Sequence, residues 1–324
     1  MDDATLQTEL ERISSIYQQV QAKLGEFVVG NQSLIELIFI ALMSKGHILV
    51  EGVPGTAKTT LVKAIAHLSG CQFTRIQCAV DTQPADIIGV RIYNPEKRDF
   101  ELKRGPIFSN ILLIDEINRI TPKSQGAFIE AMSERQVTID GITTTLPEPF
   151  FVLATQNPYE YEGTFPLIEA QKDRFMFSHV LSHLDSEDEL EIVRREHTGK
   201  LAWEEYTEHL TPLMNRSTIT RTAASISSIR MEEPILRYIR DLVLASRTHG
   251  AVQLGVSARA SIGLVRSSKA VAALQTRTFV IPDDVKKVVL PVFQHRIALT
   301  REEEIGGTTP QQVINDILHT VEVP

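Results

Sequence analysis

His47-Ile48-Leu49-Val50-Glu51-Gly52-Val53-Pro54-Gly55-Thr56-Ala57-Lys58-Thr59-Thr60-Leu61-Val62-Lys63-Ala64-Ile65-Ala66 is the stretch on which the fold turns. An apolar run, a Gly- and Pro-rich turn, then a lysine and hydroxyls opening an amphipathic run is the strand–loop–helix context of a phosphate-binding P-loop. The turn from Pro54 through Gly55, Thr56 and Ala57 to Thr60 can gather backbone N–H groups round a polyphosphate, where the helix dipole adds favourable potential. Lys58 then meets the β- and γ-phosphates as a point charge, and the Thr59 hydroxyl is placed to ligate Mg²⁺. The glycine expected before the lysine is Ala57; its methyl costs nothing if that residue has helical dihedrals.

Outward from this loop, Asn110-Ile111-Leu112-Leu113-Ile114-Asp115-Glu116 is a hydrophobic strand ending in two carboxylates. Alone, such an ending is usually a solvated strand end. About fifty residues after a P-loop it reads as the second motif of a hydrolase, with Asp115 on the Mg²⁺ shell and Glu116 orienting or deprotonating water. The run Phe150-Phe151-Val152-Leu153-Ala154-Thr155 ends in Gln156-Asn157-Pro158, where the Asn157 amide could position water beside Glu116; by itself, Asn-Pro is more often a turn. Arg174 precedes the last strand, and a planar, permanently charged fork can stabilise the oxygens of a transferring phosphoryl group. Ser257 can cap a helix carrying Arg259 in its first turn, a position where a cation calls for an anion to offset the dipole, which favours a phosphate ligand.

Apolar strands interleaved with helices predict a parallel sheet covered on both faces: strands at 47–51, 73–78, 111–116, 150–156 and 175–181, helices at 58–68 and 122–133. Ahead of them, Leu6, Leu10, Ile13, Ile16, Tyr17, Val20 and Leu24 recur at helical spacing, and a second helix runs from Asn31 towards Gly46. Alternating segments at 90–93 and 99–102, and at 137–139 and 143–145 round Asp140-Gly141, predict two inserted β-hairpins. After about His183 only helical patterns are expected, at 232–248, 258–275, 282–298 and 310–320, with Ser186 capping an earlier one. The division expected is an α/β nucleotide-binding domain over 1–183 and an all-α lid domain over 184–324.

With 324 residues, 43% hydrophobic, the chain can bury substantial cores, and a net charge of -8 argues against a broad nucleic-acid surface. Cys71 and Cys78 have neither CxxC spacing nor a nearby His cluster, so buried reduced thiols are expected. The acidic Met1-Asp2-Asp3-Ala4 carries no secretory signature, and no run approaches a membrane span. A cytoplasmic address is the simplest expectation.

These residues, in order, resemble the MoxR family of AAA+ ATPases over nearly the whole chain. The carriers are Gly52 to Thr59 with its alanine, Gly105-Pro106-Ile107-Phe108, Asp115-Glu116-Ile117-Asn118-Arg119, Glu130-Ala131-Met132, Ala154-Thr155-Gln156-Asn157-Pro158, Glu162-Gly163-Thr164 and Asp173-Arg174-Phe175. Lys172 stands where the family usually has an apolar residue. The resemblance implies ATP/ADP and Mg²⁺ as ligands. It puts Lys58 and Thr59 in Walker A, Asp115 and Glu116 in Walker B, Asn157 at sensor 1, Arg174 as an arginine finger acting on a neighbour, Arg259 at sensor 2, and Val28, Val29 and Gly30 along the adenine. It implies a homo-oligomeric ring, commonly a hexamer, that remodels or metal-loads a client protein, often with a partner bearing a von Willebrand factor A domain. The other functions left open are a chelatase- or DNA-related motor and a non-hydrolysing ATP switch, the last disfavoured by the presence of Glu116.

Overall fold

The computed structural model describes residues 3–26, 28–52, 58–157, 163–181, 184–199 and 210–324. Pro54, Gly55, Thr56 and Ala57 of the expected phosphate cradle lie outside these residues, as do Pro158 and Glu162. Two helices lead in, α1 (Asp3–Gly25) and α2 (Gln32–Met43), followed by β1 (Ile48–Gly52), α3 (Lys58–Leu68) and β2 (Phe73–Gln77). A short α4 (Pro84–Ile88) precedes the hairpin β3 (Gly89–Asn94) and β4 (Asp99–Arg104). Then come β5 (Ile111–Asp115), a 3-10 turn (Ile117–Arg119), α5 (Pro122–Glu134), the hairpin β6 (Gln136–Ile139) and β7 (Ile142–Thr145), β8 (Phe151–Gln156), α6 (Glu169–Lys172) and β9 (Phe177–Leu181).

The main sheet has strand order β2-β5-β8-β1-β9, and every pairing in it is parallel. Its central strands β5 and β8 are buried along nearly their whole length because both faces are covered, and successive side chains divide between two cores. Ile48 and Val50 of β1, Ile111 and Leu113 of β5, and Phe151 and Leu153 of β8 join the core under α1, α2 and α3. Leu49, Leu112, Ile114, Val152 and Ala154 face the other way, into a core with Phe128 and Met132 of α5 and with Val137 and Ile139 of β6. Helix α1 docks through Leu6, Leu10, Ile13, Tyr17, Val20 and Leu24, all buried. Each contributes roughly 1.5–3 kcal/mol by leaving water, far more than helix propensity supplies, so packing decides the placement of α1. Helix α2 is buried at every position from Phe39 to Met43, as a helix wedged between sheet and lid must be.

The first hairpin is closed at its base by two glycines. A Cβ on Gly105 would lie 2.3 Å from the carbonyl oxygen of Ile87 and 2.5 Å from the nitrogen of Gly89, and Gly89 itself has φ 94°. No side chain fits there.

The second half is helical: α7 (Ser186–His197), α8 (Arg216–Ser227), α9 (Glu233–Thr248), α10 (Ala258–Leu274), α11 (Pro282–Phe293), α12 (Arg301–Gly306) and α13 (Pro310–Thr320). It departs from a purely helical lid by one antiparallel ribbon, β10 (Val252–Leu254) with β11 (Ala298–Leu299). Sequence spacing did not predict α4, α6, α8 or α12, and it placed the cap of α7 one residue late: Asp185, not Ser186, accepts the N–H groups of Glu187 and Asp188. The lid helices share one continuous apolar core with α1, α2 and one face of the sheet. Cys71 is half-buried and Cys78 buried, both as free thiols, and burial pushes their pKa values up to about 11 and about 12. Among the described residues no helix is long and apolar enough to cross a membrane.

Candidate active site

Four strand ends converge at the carboxyl edge of the sheet. Helix α3 opens with Lys58, Thr59 and Thr60 beyond the end of β1, and Lys58 Nζ donates to the Gly52 carbonyl at 3.3 Å. Burial pulls the Lys58 pKa down, while the negative charges of Asp115 and Glu116 act to raise it. The lysine therefore shares its field with both carboxylates of the second motif.

Asp115 ends β5 and is nearly buried. Its Oδ1 accepts from Thr155 Oγ1 at 3.2 Å, and its Oδ2 pairs with Arg75 Nε at 2.6 Å. Thr155 belongs to β8, the strand between β5 and β1, and its hydroxyl oxygen also accepts the Glu116 N–H at 3.0 Å. Glu116 lies in the left-handed region, φ 58° and ψ 50°, where a residue other than glycine is uncommon. The turn parts its side chain from that of Asp115: Glu116 Oε2 accepts from Gln77 Nε2 at 2.8 Å and pairs with Arg119 Nε at 3.2 Å.

Asn157 follows β8, so the strand order sets it between the Walker B acids and the end of β1; Asn118 Nδ2 donates to its carbonyl at 3.5 Å. The turn holding Val28, Val29 and Gly30 reaches the same edge. Gly30 has φ 69° and lies close against Leu184 and Asp188, just past β9, whose Leu181 pairs with Gly52.

The two arginines lie elsewhere. Arg174 sits before β9 and Arg259 in the first turn of α10. Both line a cavity of about 730 Å³ that also takes in Gly46 and His47 before β1, and Arg135 at the end of α5. These are the amino-terminal ends of the strands, so the strand length separates this cavity from Lys58, roughly 16 Å at about 3.3 Å per residue. Arg174 donates through Nε to Ser133 Oγ at 2.7 Å and through Nη1 to the Ala170 carbonyl at 2.8 Å. Ser257 caps α10 as expected, its hydroxyl oxygen accepting the Arg259 N–H at 3.1 Å. The anion that offsets Arg259 comes from the chain itself: Arg259 Nη1 pairs with Asp173 Oδ2 at 3.2 Å.

Residues 47–177 match the family described as the ATPase family associated with various cellular activities (AAA), and residues 244–317 match the AAA lid domain. The chain is 38% identical over 311 residues to Chaperone MoxR1 of Mycobacterium tuberculosis, covering 92% of this chain and 79% of that protein. It belongs to the MoxR family of AAA+ ATPases. The YeaC protein of Bacillus subtilis is 40% identical over 301 residues, covering 93% of this chain and 92% of that one. A crystal structure from Cytophaga hutchinsonii, of a protein assigned as an ATPase, superposes with a TM-score of 0.90 at 38% identity, covering 99% of this chain and 98% of the other. As a MoxR-family protein the chain is an AAA+ ATPase that binds nucleotide.

Sequence reading missed Arg75, Gln77 and Thr155, which hold the two Walker B acids, and Arg296, which holds Asp173. One signal was available. Arg75 and Gln77 alternate along β2, so both project to one face of the strand that borders β5.

Proposed function

We propose that this chain hydrolyses ATP with Mg²⁺ in a homo-oligomeric ring, commonly a hexamer, and couples turnover to chaperone-like remodelling of a client protein. The observation that carries this reading is the separation of charges. Lys58, Asp115 and Glu116 stand at the carboxyl edge of the sheet, while Arg174 and Arg259 stand together at its amino edge, beyond reach of their own nucleotide. Two arginines so placed serve the nucleotide of a second copy presenting its carboxyl edge to this cavity. At that junction the planar forks would stabilise charge on the transferring phosphoryl group, an effect worth ~10³–10⁵ in rate where such a finger has been measured in GTPases.

The residues present suit a magnesium ion. The Asp115 carboxylate and the Thr59 hydroxyl are hard oxygen donors, and among the described residues there is no cluster of three or more metal-ligating side chains. Few protein ligands are what Mg²⁺ takes when phosphate oxygens complete its shell. Held by Asp115 and Thr59, it would supply positive charge that offsets the charge of the phosphates. The chain's own groups do the rest: Lys58 binds the phosphates, Glu116 takes the proton of the attacking water, and Asn157 orients that water. The turn of Val28, Val29 and Gly30, with Pro54, Gly55, Thr56, Ala57 and Thr60, would hold the nucleotide.

The remodelling role rests on likeness to Chaperone MoxR1, and a partner with a von Willebrand factor A domain and metal-loading of the client belong to the same proposal. A division into a nucleotide-binding domain over 1–183 and a lid over 184–324 fits the change from strands to helices.

Mixing tests the ring. An Arg174→Ala subunit keeps its P-loop and a Lys58→Ala subunit keeps its arginines, so mixed rings should regain turnover that neither variant shows alone. Activity no greater than the sum of the separate variants, in demonstrably mixed rings, would rule out action on a neighbour.

A further inference from the structure

Asp173 is the point where lid and sheet meet. Its carboxylate accepts from the Ser257 hydroxyl at 2.8 Å to either oxygen, from Arg259 Nη1 at 3.2 Å and from Arg296 Nε at 2.9 Å. All three donors come from the helical half: the cap of α10, its first turn, and the segment just past α11. The next residue in the chain is Arg174.

Arg296 is buried, its side chain only 3% exposed, and it spends its remaining donors on backbone. Nη2 donates to the carbonyl of Asp173 at 3.1 Å and also to that of Phe175; Nη1 donates to the carbonyl of Met176 at 3.1 Å and to that of Val292. The backbone is thus gripped on both sides of Arg174. A guanidinium alone can do this, since its planar fork offers five fixed donors where lysine offers three on a flexible stem. Burial pulls the Arg296 pKa down to about 10 against the opposing effect of Asp173, so it is a cation at neutral pH.

We propose that Asp173 and Arg296 are positioning residues for the reaction, a latch that fixes Arg174 and Arg259 to one another so that both meet a neighbouring copy's nucleotide together. The inference rests on the reading that these arginines act on a second copy of the chain. On this view neither latch residue touches nucleotide. Asp173 orients Arg259 through its side chain, and Arg296 holds the Arg174 backbone. The lid's position is then read out at the neighbour's phosphates, because displacing the lid moves Arg259 with α10 and Arg296 with the segment past α11 in the same step.

The full chain carrying Asp173→Asn, which keeps the side-chain volume, tests the latch, with Arg296→Lys beside it to keep the charge and lose the fork. For both we expect kcat reduced about tenfold or more, the KM for ATP within about twofold of wild type, and rings still formed. The reading that a purely structural role would not move is complementation. Asp173→Asn subunits should regain activity with Lys58→Ala subunits, whose arginines are intact, and should not with Arg174→Ala subunits. Ser257→Ala removes one donor to Asp173 without stranding the buried Arg296, and should lower kcat about threefold in a protein that folds. Wild-type kcat in Asp173→Asn or in Ser257→Ala overturns the latch while leaving the action on a neighbour intact. So does failure of Asp173→Asn to complement Lys58→Ala where Arg174→Ala succeeds. Failure of the Arg174→Ala and Lys58→Ala pair overturns the action on a neighbour and the latch with it.

Discussion

The Gln77 amide donates to Oε2 of Glu116 at 2.8 Å, so the carboxylate proposed to activate water is held by the strand on the far side of β5. A hydrogen bond to a charged group has a net worth of about 1.5–3 kcal/mol, and this one draws the Glu116 carboxylate towards β2. Gln77→Leu should therefore raise basal turnover several-fold with little change in the KM for ATP. Steady-state phosphate release decides it, and a fall in kcat would instead make the Gln77 contact part of the reactive arrangement.

Arg75 bears on the proposed Mg²⁺ site in a similar way. Its Nε lies 2.6 Å from Asp115 Oδ2, so a cation bound at Asp115 competes with a guanidinium already paired there. Arg75→Gln should lower the Mg²⁺ concentration giving half-maximal turnover several-fold. Titration with Mg²⁺ at saturating ATP measures this directly. An unchanged midpoint would show that Arg75 does not compete with a cation at Asp115.

The sheet was legible because its central strands, β5 above all, are apolar on both faces, and a parallel sheet between two layers asks for that. The places of Lys58, Asp115 and Glu116 were legible because each lies at a junction of elements: Lys58 opens the helix after β1, and Asp115 and Glu116 close β5. What was not legible is how those residues are held. Gln77 reaches Glu116 across 39 positions of chain, and Arg296 reaches Asp173 across 123. No local spacing encodes such pairs. Arg259 shows the same limit, since its position near a helix start called for an anion and the structure supplies Asp173, a residue 86 positions away. Helix α8 went unread because its pattern of Thr218, Ile219, Thr222, Ala223 and Ile226 buries threonines that a hydropathy reading counts as polar.

Lys58→Ala should cost most of the affinity for ATP. The ammonium lies in a half-buried site beside two carboxylates, and its loss leaves both the phosphates and those acids without the shared cation. Charge-assisted bonds of about 1.5–3 kcal/mol correspond to a loss of roughly 10–100-fold in affinity. Calorimetry with ATP checks it, and undiminished affinity would remove Lys58 from the nucleotide site. Glu116→Gln makes the contrasting case, retaining ATP binding while losing most turnover, because an amide takes up no proton.

Acid should unfold the protein through two buried histidines. His47 Nδ1 accepts the Val152 N–H at 3.1 Å while Nε2 faces the Met132 carbonyl at 3.2 Å, a pair of roles that only the neutral ring with its proton on Nε2 can fill. Burial drives its pKa down to about 4, with the charge of Arg135 adding to the fall and the Met132 bond opposing it. His295, its Nε2 facing the Phe175 carbonyl at 3.0 Å, is held well below its ordinary value by burial and then by Arg296. Both folded-state values lie under the unfolded value of about 6.5, so the unfolded chain binds more protons in acid. The stabilisation is complete above pH 6.5 and is lost as the pH falls towards 4, at up to about 1.4 kcal/mol per pH unit for each histidine. Denaturant unfolding between pH 7 and pH 4.5 should show stability falling with a slope approaching two protons. His47→Gln, whose amide can accept from Val152 and donate to Met132, should lose about one of them. A slope unchanged in that variant would show that His47 does not titrate on unfolding in this range.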